Sequence, residues 1–282
     1  MKNTLFTLFI IAIAITGLHA QDLQIHKTDG SIITLPLNAI DSVTFANSGM
    51  GGHWQPCPGT PTVTDIDGNV YNTVLIDDQC WMKENLKTTK YRNGASIEYP
   101  GTNSSAWLYN TSGAYAWYNN DISWKEKYGA LYNWHAVNNS KGLCPEGWHV
   151  PGDEEWTQLV DYVVLQGHSN DNTDPNGAGN ALKSCRQVDS PLGEYCATSE
   201  HPRWKEDANH YGFDEFGFSA LPGGNRFSDG SFFSNGYYGY WWSSTEISSF
   251  YSRTRSMSYN HGNMRRYYEA PNVGCSVRCI MD

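Results

Sequence analysis

The chain has 282 residues, with 29 acidic against 19 basic side chains and a formal net charge of −10. That balance excludes recognition of a phosphate backbone, which needs clustered Lys and Arg, and it disfavours adsorption to anionic membranes; neither nucleic acid nor a lipid surface is an expected partner. Aromatic residues at 14% with charged residues at only 17% exclude a disordered chain and call for a packed core.

The N-terminus carries one positive residue, Lys2, then an apolar run from Leu5 to Gly17, then Leu18-His19-Ala20. This order predicts a secretory signal peptide over residues 1–20, cleaved after Ala20. The run is short for a bilayer span, no Cys follows it to take a lipid anchor, and no second apolar run occurs downstream. The mature chain is therefore expected to be exported and soluble, without a transmembrane segment. Its destination is the periplasm, the outer surface or the medium.

Residues 21–46 read as a small β element: Leu23 to His26 alternates, Asp29-Gly30 is a turn, Ile32 to Leu37 is extended, and Asp41 to Phe45 alternates again. It is too short to hold a core alone. Residues 47–56 are Gly-rich at their start and read as a linker, and the main domain is expected over 57–282. Within it, Val63 to Tyr71 predicts two strands around Asp67-Gly68, continuing through Val74-Leu75-Ile76 to Cys80-Trp81. Cys57 and Cys80 flank that hairpin, so a bond between them would tie its ends. Leu131, Trp134 and Val137 recur at helical spacing and predict a short helix over 128–137. A second helix is predicted after Pro151, with Asp153, Glu154 and Glu155 in its first turn, a stripe of Trp156, Leu159, Val160 and Val163, and an end near Gly167. Phe216 to Leu221 reads as a buried strand, Tyr237 to Thr245 and Phe250 to Tyr259 as further strands, and Val273 to Ile280 as the closing one.

Seven cysteines, none in a C-x-x-C pair, read as disulfides in an exported chain, with one thiol left over that is either buried or open to a partner. The acidic triplet at Asp153 is explained by its helix start rather than by catalysis. Asp171-Asn-Thr-Asp-Pro-Asn-Gly177 has the composition of a calcium loop without EF-hand spacing; it reads as a solvated turn whose oxygens still allow a weakly held calcium ion. No zinc-hydrolase, nucleophile-elbow or phosphate-loop pattern occurs, so no metal ligand set, no cofactor and no catalytic residue is assigned. The stretch from Phe250 to Tyr268 is the candidate recognition surface. Its Tyr251, Arg253, Arg255, Tyr259, Asn260, His261, Asn263, Arg265, Arg266, Tyr267 and Tyr268 are residue types of adaptable binding faces. The competing reading is that the alternating aromatics only fill a sheet face.

Several ordered segments resemble the Fibrobacter succinogenes major paralogous domain, common in exported proteins of Bacteroidetes and Fibrobacteres. They are Val63 to Tyr71 with Gln79 to Leu86, then Cys144 to Trp156, Phe218 to Gly224, Trp241 to Glu246 and Ser276 to Cys279. The segment from His26 to Phe45 is also similar to a short N-terminal element of Bacteroidetes surface proteins. The resemblance implies an α+β, disulfide-braced domain of C-type-lectin-like architecture, related to the formylglycine-generating-enzyme fold, with short antiparallel strands, about two helices and long loops. It implies a long bridge from Cys144 to Cys279 and a local bridge between Cys185 and Cys196. Cys275 stands where the family usually has an aromatic residue; it lies on the same strand face as Cys279, so either could reach Cys144, and Cys275 is the candidate free thiol. Ala270 breaks the Glu-Pro-Asn sugar motif of calcium-dependent lectins at Glu269 to Asn272. In such folds the late strands form the ligand face, and some relatives diversify that region by error-prone retrocopying. The expectation is an exported, non-enzymatic module that binds an extracellular glycan or protein. The alternative is a structural or adhesive part of the cell surface or an appendage, linked through Cys275; an enzyme ranks third.

Overall fold

The computed structural model describes residues 23–26, 32–35 and 54–282. The chain divides into two compact units, 1–49 and 50–282. In the first, β1 (Leu23–His26) pairs antiparallel with β2 (Ile32–Leu35), Leu23 opposite Leu35 and His26 opposite Ile32. The expected signal peptide, the Asp29-Gly30 turn, the strand at 41–45 and most of the linker lie outside the described residues.

The second unit is α+β and built around two five-stranded sheets. The first runs β3 (Thr62–Thr64), β4 (Val70–Ile76), β5 (Gln79–Met82), β14 (Ile280–Met281) and β8 (Trp148–His149). The second runs β10 (Phe232–Asn235), β9 (Gly223–Arg226), β11 (Tyr238–Ser248), β12 (Tyr251–Ser258) and β13 (Arg265–Glu269). A two-stranded pair, β6 (Tyr115–Ala116) with β7 (Leu131–Tyr132), lies between β5 and β8 in sequence. The β3–β4 turn follows from its residues. Asp65 Oδ1 accepts the Asp67 and Asn69 N–H groups at 3.0 and 2.9 Å, its Oδ2 accepts the Tyr71 hydroxyl at 2.6 Å, and Gly68 takes the positive φ the turn requires.

Five helices are present among the described residues, four of them only four or five residues long: α1 (Ser104–Leu108), α2 (Lys125–Tyr128), α3 (Trp134–Val137) and α5 (Ala178–Leu182). The long one, α4 (Asp153–Leu165), begins where Glu155 reaches back to the Gly152 N–H at 2.7 Å. The other oxygen of Glu155 lies 2.9 Å from His149 Nε2, whose Nδ1 meets Asp282 at 2.6 Å, so the helix start is tied to the end of the chain.

Three sequence expectations change here. The helix expected over 128–137 is broken, because Gly129 sits at φ +76° against the backbone of Asn85 and Leu86, and the next residues bond across the fold instead. Ala130 donates to Leu86 O and Tyr132 to Cys275 O, which replaces the i to i−4 ladder. The strand expected at Phe216 to Leu221 is a bend. Ser219 has φ +53°, Asp214 accepts the Ser219 N–H, and the buried Arg278 guanidinium donates to Phe218 O. Likewise the closing segment has strand pairing as an element only at β14, and from Gly274 to Ser276 it changes partner nearly every residue, from Arg226 to Tyr132 to Trp241.

Tryptophans carry the core. Trp81, Trp156, Trp204 and Trp241 pack with Phe218 and the stripe of α4, the Trp81 and Trp156 rings 4.8 Å apart. Trp134, Trp148 and Trp242 pack with Cys144, Cys275 and Cys279. Burying indoles also demands partners for their N–H groups; Trp241 donates to Asn85 Oδ1 at 2.9 Å and Trp242 to Tyr132 O at 2.7 Å.

Disulfides join Cys57 to Cys80, Cys144 to Cys279 and Cys185 to Cys196, while Cys275 is a buried free thiol. Three such bonds fit an oxidising compartment. Among the described residues no helix is long and apolar enough to cross a membrane.

The Cys144–Cys279 bond closes a separation of 135 residues. Chain entropy puts its contribution at about 5 kcal/mol. Urea unfolding of a Cys144→Ala/Cys279→Ala variant is expected to lose about 3–5 kcal/mol relative to wild type, with a smaller loss for Cys185→Ala/Cys196→Ala, whose closed segment is short.

Candidate functional site

The candidate residues fall into two groups. Residues facing each other across β11, β12 and β13 share a sheet face: Trp241 opposite Arg255 opposite Arg266, and Arg253 opposite Tyr268. That face lies over α4, because Trp241 and Met257 pack with Trp156, Leu159, Val160 and Val163. β13 is the edge strand, and Arg265 to Tyr268 are all exposed on it. Beside them the β11–β12 hairpin exposes Ile247, Phe250 and Tyr251. The Tyr251 and Tyr268 rings meet edge-on at 4.9 Å, Tyr267 stacks on Tyr268 at 5.0 Å and 7°, and Arg265 lies 5.8 Å from the Tyr267 ring centre. Tyr251, Arg253, Arg266, Tyr267 and Tyr268 thus form one surface at this end of the sheet.

Beneath it sits a charge cluster around a single carboxylate. Asp153, the first residue of α4, accepts from Arg255 Nη2 on Oδ1 at 2.9 Å and from Arg266 Nε and Nη2 on Oδ2 at 2.8 and 2.5 Å. Arg255 is buried and also donates to Thr157 Oγ1 at 2.7 Å, so it supports the surface without lining it. Arg253 Nε stands 4.0 Å from Asp153 Oδ2, and its guanidinium makes no hydrogen bond among the described residues. Burial raises the pKa of the Asp153 carboxyl, but the hydrogen bond from Arg266 and the charge of Arg255 outweigh it and hold the group below its usual range. An open groove of about 630 Å³ adjoins the cluster. It follows the outward side of α4 from Asp153 to Leu165 and is completed by Asp77 and Arg266.

The second group is elsewhere. Tyr259, Asn260, His261 and Asn263 form the half-buried turn between β12 and β13. That turn is pinned from inside: Lys183 Nζ, fully buried, donates to Ser258 O, His261 O and His210 O at 2.9, 3.2 and 2.5 Å. Asn170 brackets Met264 through two bonds, and Gly179 donates to Gly262 O at 2.6 Å. A Cβ on Gly262 would lie 2.0 Å from Asp174 O, so the two chains touch backbone to backbone. These four residues are part of a packed corner, apart from the exposed Tyr and Arg surface. Nothing in the sequence marks Lys183 or Asp153 for these roles, since their partners lie 27 to 113 residues away, in turns and in strands of unknown register. The one available signal was the pair of arginines on facing strands, which needs a counter-charge from somewhere.

The remaining candidates are engaged within the fold. In the 171–177 loop, Asp171 Oδ1 accepts the Thr173 N–H at 2.7 Å and Asp174 Oδ1 the Asn176 N–H at 2.8 Å, a pattern of self-closed turns. Among the described residues no group of three or more His, Cys, Asp or Glu is gathered to hold a metal ion. After Glu269, Pro271 O accepts from Trp134 N and Asn272 O from the Trp107 indole at 2.9 Å. The Cys275 thiol is fully enclosed, and burial with Glu269 nearby pushes its pKa well up, so it is a core group and unreactive in the folded module.

Fold and site together describe an α+β, disulfide-braced module whose edge strand presents aromatic and basic side chains. The chain belongs to the Fibrobacter succinogenes major domain family, whose model matches residues 74–281. No curated protein and no solved structure matches it.

Replacing Asp153 by Asn leaves Arg255 and Arg266 facing each other without a counter-charge. A loss of about 2–3 kcal/mol near neutral pH is expected in urea unfolding. Because folding holds the Asp153 carboxyl below the ordinary aspartate range, its contribution is complete above that range and is lost as pH falls through the folded value. The wild type should therefore lose stability on acidification below about pH 4, and Asp153→Asn should lose less over that interval.

Proposed function

We propose that the protein is an exported, non-enzymatic binding module of C-type-lectin-like architecture that recognises an extracellular glycan or protein. The observation that carries this reading is the convergence of Tyr251, Arg253, Arg266, Tyr267 and Tyr268 on one exposed sheet end beside an open groove. Rigid tyrosines give contact area at low entropic cost, and arginines give directed hydrogen bonds; both are enriched where binding energy concentrates. The lectin-like architecture draws support from the Cys144–Cys279 bond, which clasps the segment before α4 to the segment leading into the last strand, and from β14 lying between β5 and β8. A non-catalytic role fits the way ionisable groups are used: His149 is held between Glu155 and Asp282, and Asp153 by its arginines. The burial of the Cys275 thiol favours this reading over a structural role linked through that residue.

Screening the full chain against arrays of extracellular glycans and cell-surface proteins should identify a ligand. A Tyr251→Ala/Tyr268→Ala variant, with unchanged thermal midpoint, should bind it at least tenfold more weakly, a loss of about 1.4 kcal/mol. No ligand in either array, or equal binding by the variant, would overturn the proposal.

A further inference from the structure

The open arginine donors at this surface point to the chemistry of the ligand, provided the surface binds one at all. Arg255 lies directly opposite Arg266, and Arg253 is one diagonal step away on the same face. Guanidinium groups keep their charge at any physiological pH. One carboxylate, Asp153, stands among the three, and both of its oxygens are already engaged by Arg255 and Arg266. Neither oxygen of Asp153 is hydrogen-bonded to Arg253, while the further carboxylates Asp77, Glu154 and Asp161 stand along the groove that Arg266 borders. Arg253 retains its full set of donors, and the Arg266 side chain, 52% exposed, engages Asp153 only through Nε and Nη2. Tyr268 stands opposite Arg253, with Tyr251 against it, so the open donors lie along an aromatic wall.

We infer that this surface takes an acidic sugar unit, its carboxylate or sulfate held by Arg253 and Arg266 and its ring laid against Tyr251 and Tyr268. Planar guanidinium forks suit oxyanions with paired oxygens. The adjoining groove decides between a glycan and an acidic peptide. It presents Asp77, Glu154, Gln158 and Asp161, acceptors that repel a run of acidic side chains but accept from hydroxyl groups. The fit is therefore a glycan of low charge density, one acidic unit at the arginines followed by neutral sugars along α4.

The test is calorimetric binding of the full chain to five probes: a neutral glucose hexamer, the same hexamer with one terminal glucuronic acid, the same with one terminal sulfate, a polyglucuronate and a Glu-rich peptide. One of the two singly acidic hexamers should bind at least tenfold more tightly than the neutral one, and which of them does so tells carboxylate from sulfate. Arg253→Gln, which removes no hydrogen bond from the fold, should abolish that preference, and Arg253→Lys should restore it only in part. Equal binding of neutral and acidic hexamers would overturn this inference while leaving a binding face in place; tighter binding of the peptide or of polyglucuronate would do the same. Binding of none of the five would sink this inference, whereas the broader reading falls only if the wider arrays are also empty.

Discussion

The second sheet is organised around a repulsion that one carboxylate resolves. Its edge strand β13 places Arg266 directly across from Arg255, an arrangement that by itself would push the strand away. Asp153 inserts a negative charge between them from the first turn of α4 and adds hydrogen bonds to both. The same residue carries the negative charge favoured at a helix N-terminus, so helix, edge strand and exposed surface share one anchor. The exposed surface that Tyr251, Tyr267 and Tyr268 form is carried by a strand held in register at this point.

Elsewhere the fold relies on long polar side chains to satisfy backbone that short elements cannot. Lys183 supplies three donors to three carbonyls, and Arg278, fully buried, donates to Phe218 O and lies within reach of Asn85 and Ser219. Asn85 in turn bonds Tyr128 O, Ser276 and the Trp241 indole. Each ties segments far apart in sequence where no ladder runs, which is how irregular backbone remains buried without orphaned carbonyls. Burial pulls the Lys183 ammonium down to about 7 and the Arg278 guanidinium to about 10, a measure of how dry these positions are.

Local signals in the sequence were read well where structure is local. The Asp67-Gly68 turn, the start and stripe of α4, and the alternating strand now seen as β12 all follow from neighbouring residues. Local patterning misses the places where other bonds replace the local ladder: distant backbone partners at Gly129 to Tyr132, and the side chains of Asp214 and Arg278 at Phe218 and Ser219. The candidate surface was half legible. Its tyrosines and arginines stand out by composition, but Arg255 is buried where α4 covers its part of the sheet face, and Tyr259 to Asn263 are held in a packed corner by Lys183 and Asn170, partners that no local pattern names. The groove could not be seen at all, since Asp77 and α4 come together only through the fold.

The placement of β14 has a mechanical consequence. The last strand lies inside the first sheet, hydrogen-bonded to β5 on one side and β8 on the other, while Gln55 near the start of this unit bridges to β4 in the same sheet. Tension applied across the two ends of the unit would therefore enter a single sheet and load it first, leaving β11 to β13 outside the path. Cys57–Cys80 and Cys144–Cys279 stand directly behind those outer bonds. The Cys144–Cys279 bond takes the loop that contains β11 to β13 out of the line of tension, so a pull across the unit would draw out the chain between Cys80 and Cys144 before it deformed the surface that carries Tyr251 and Tyr268.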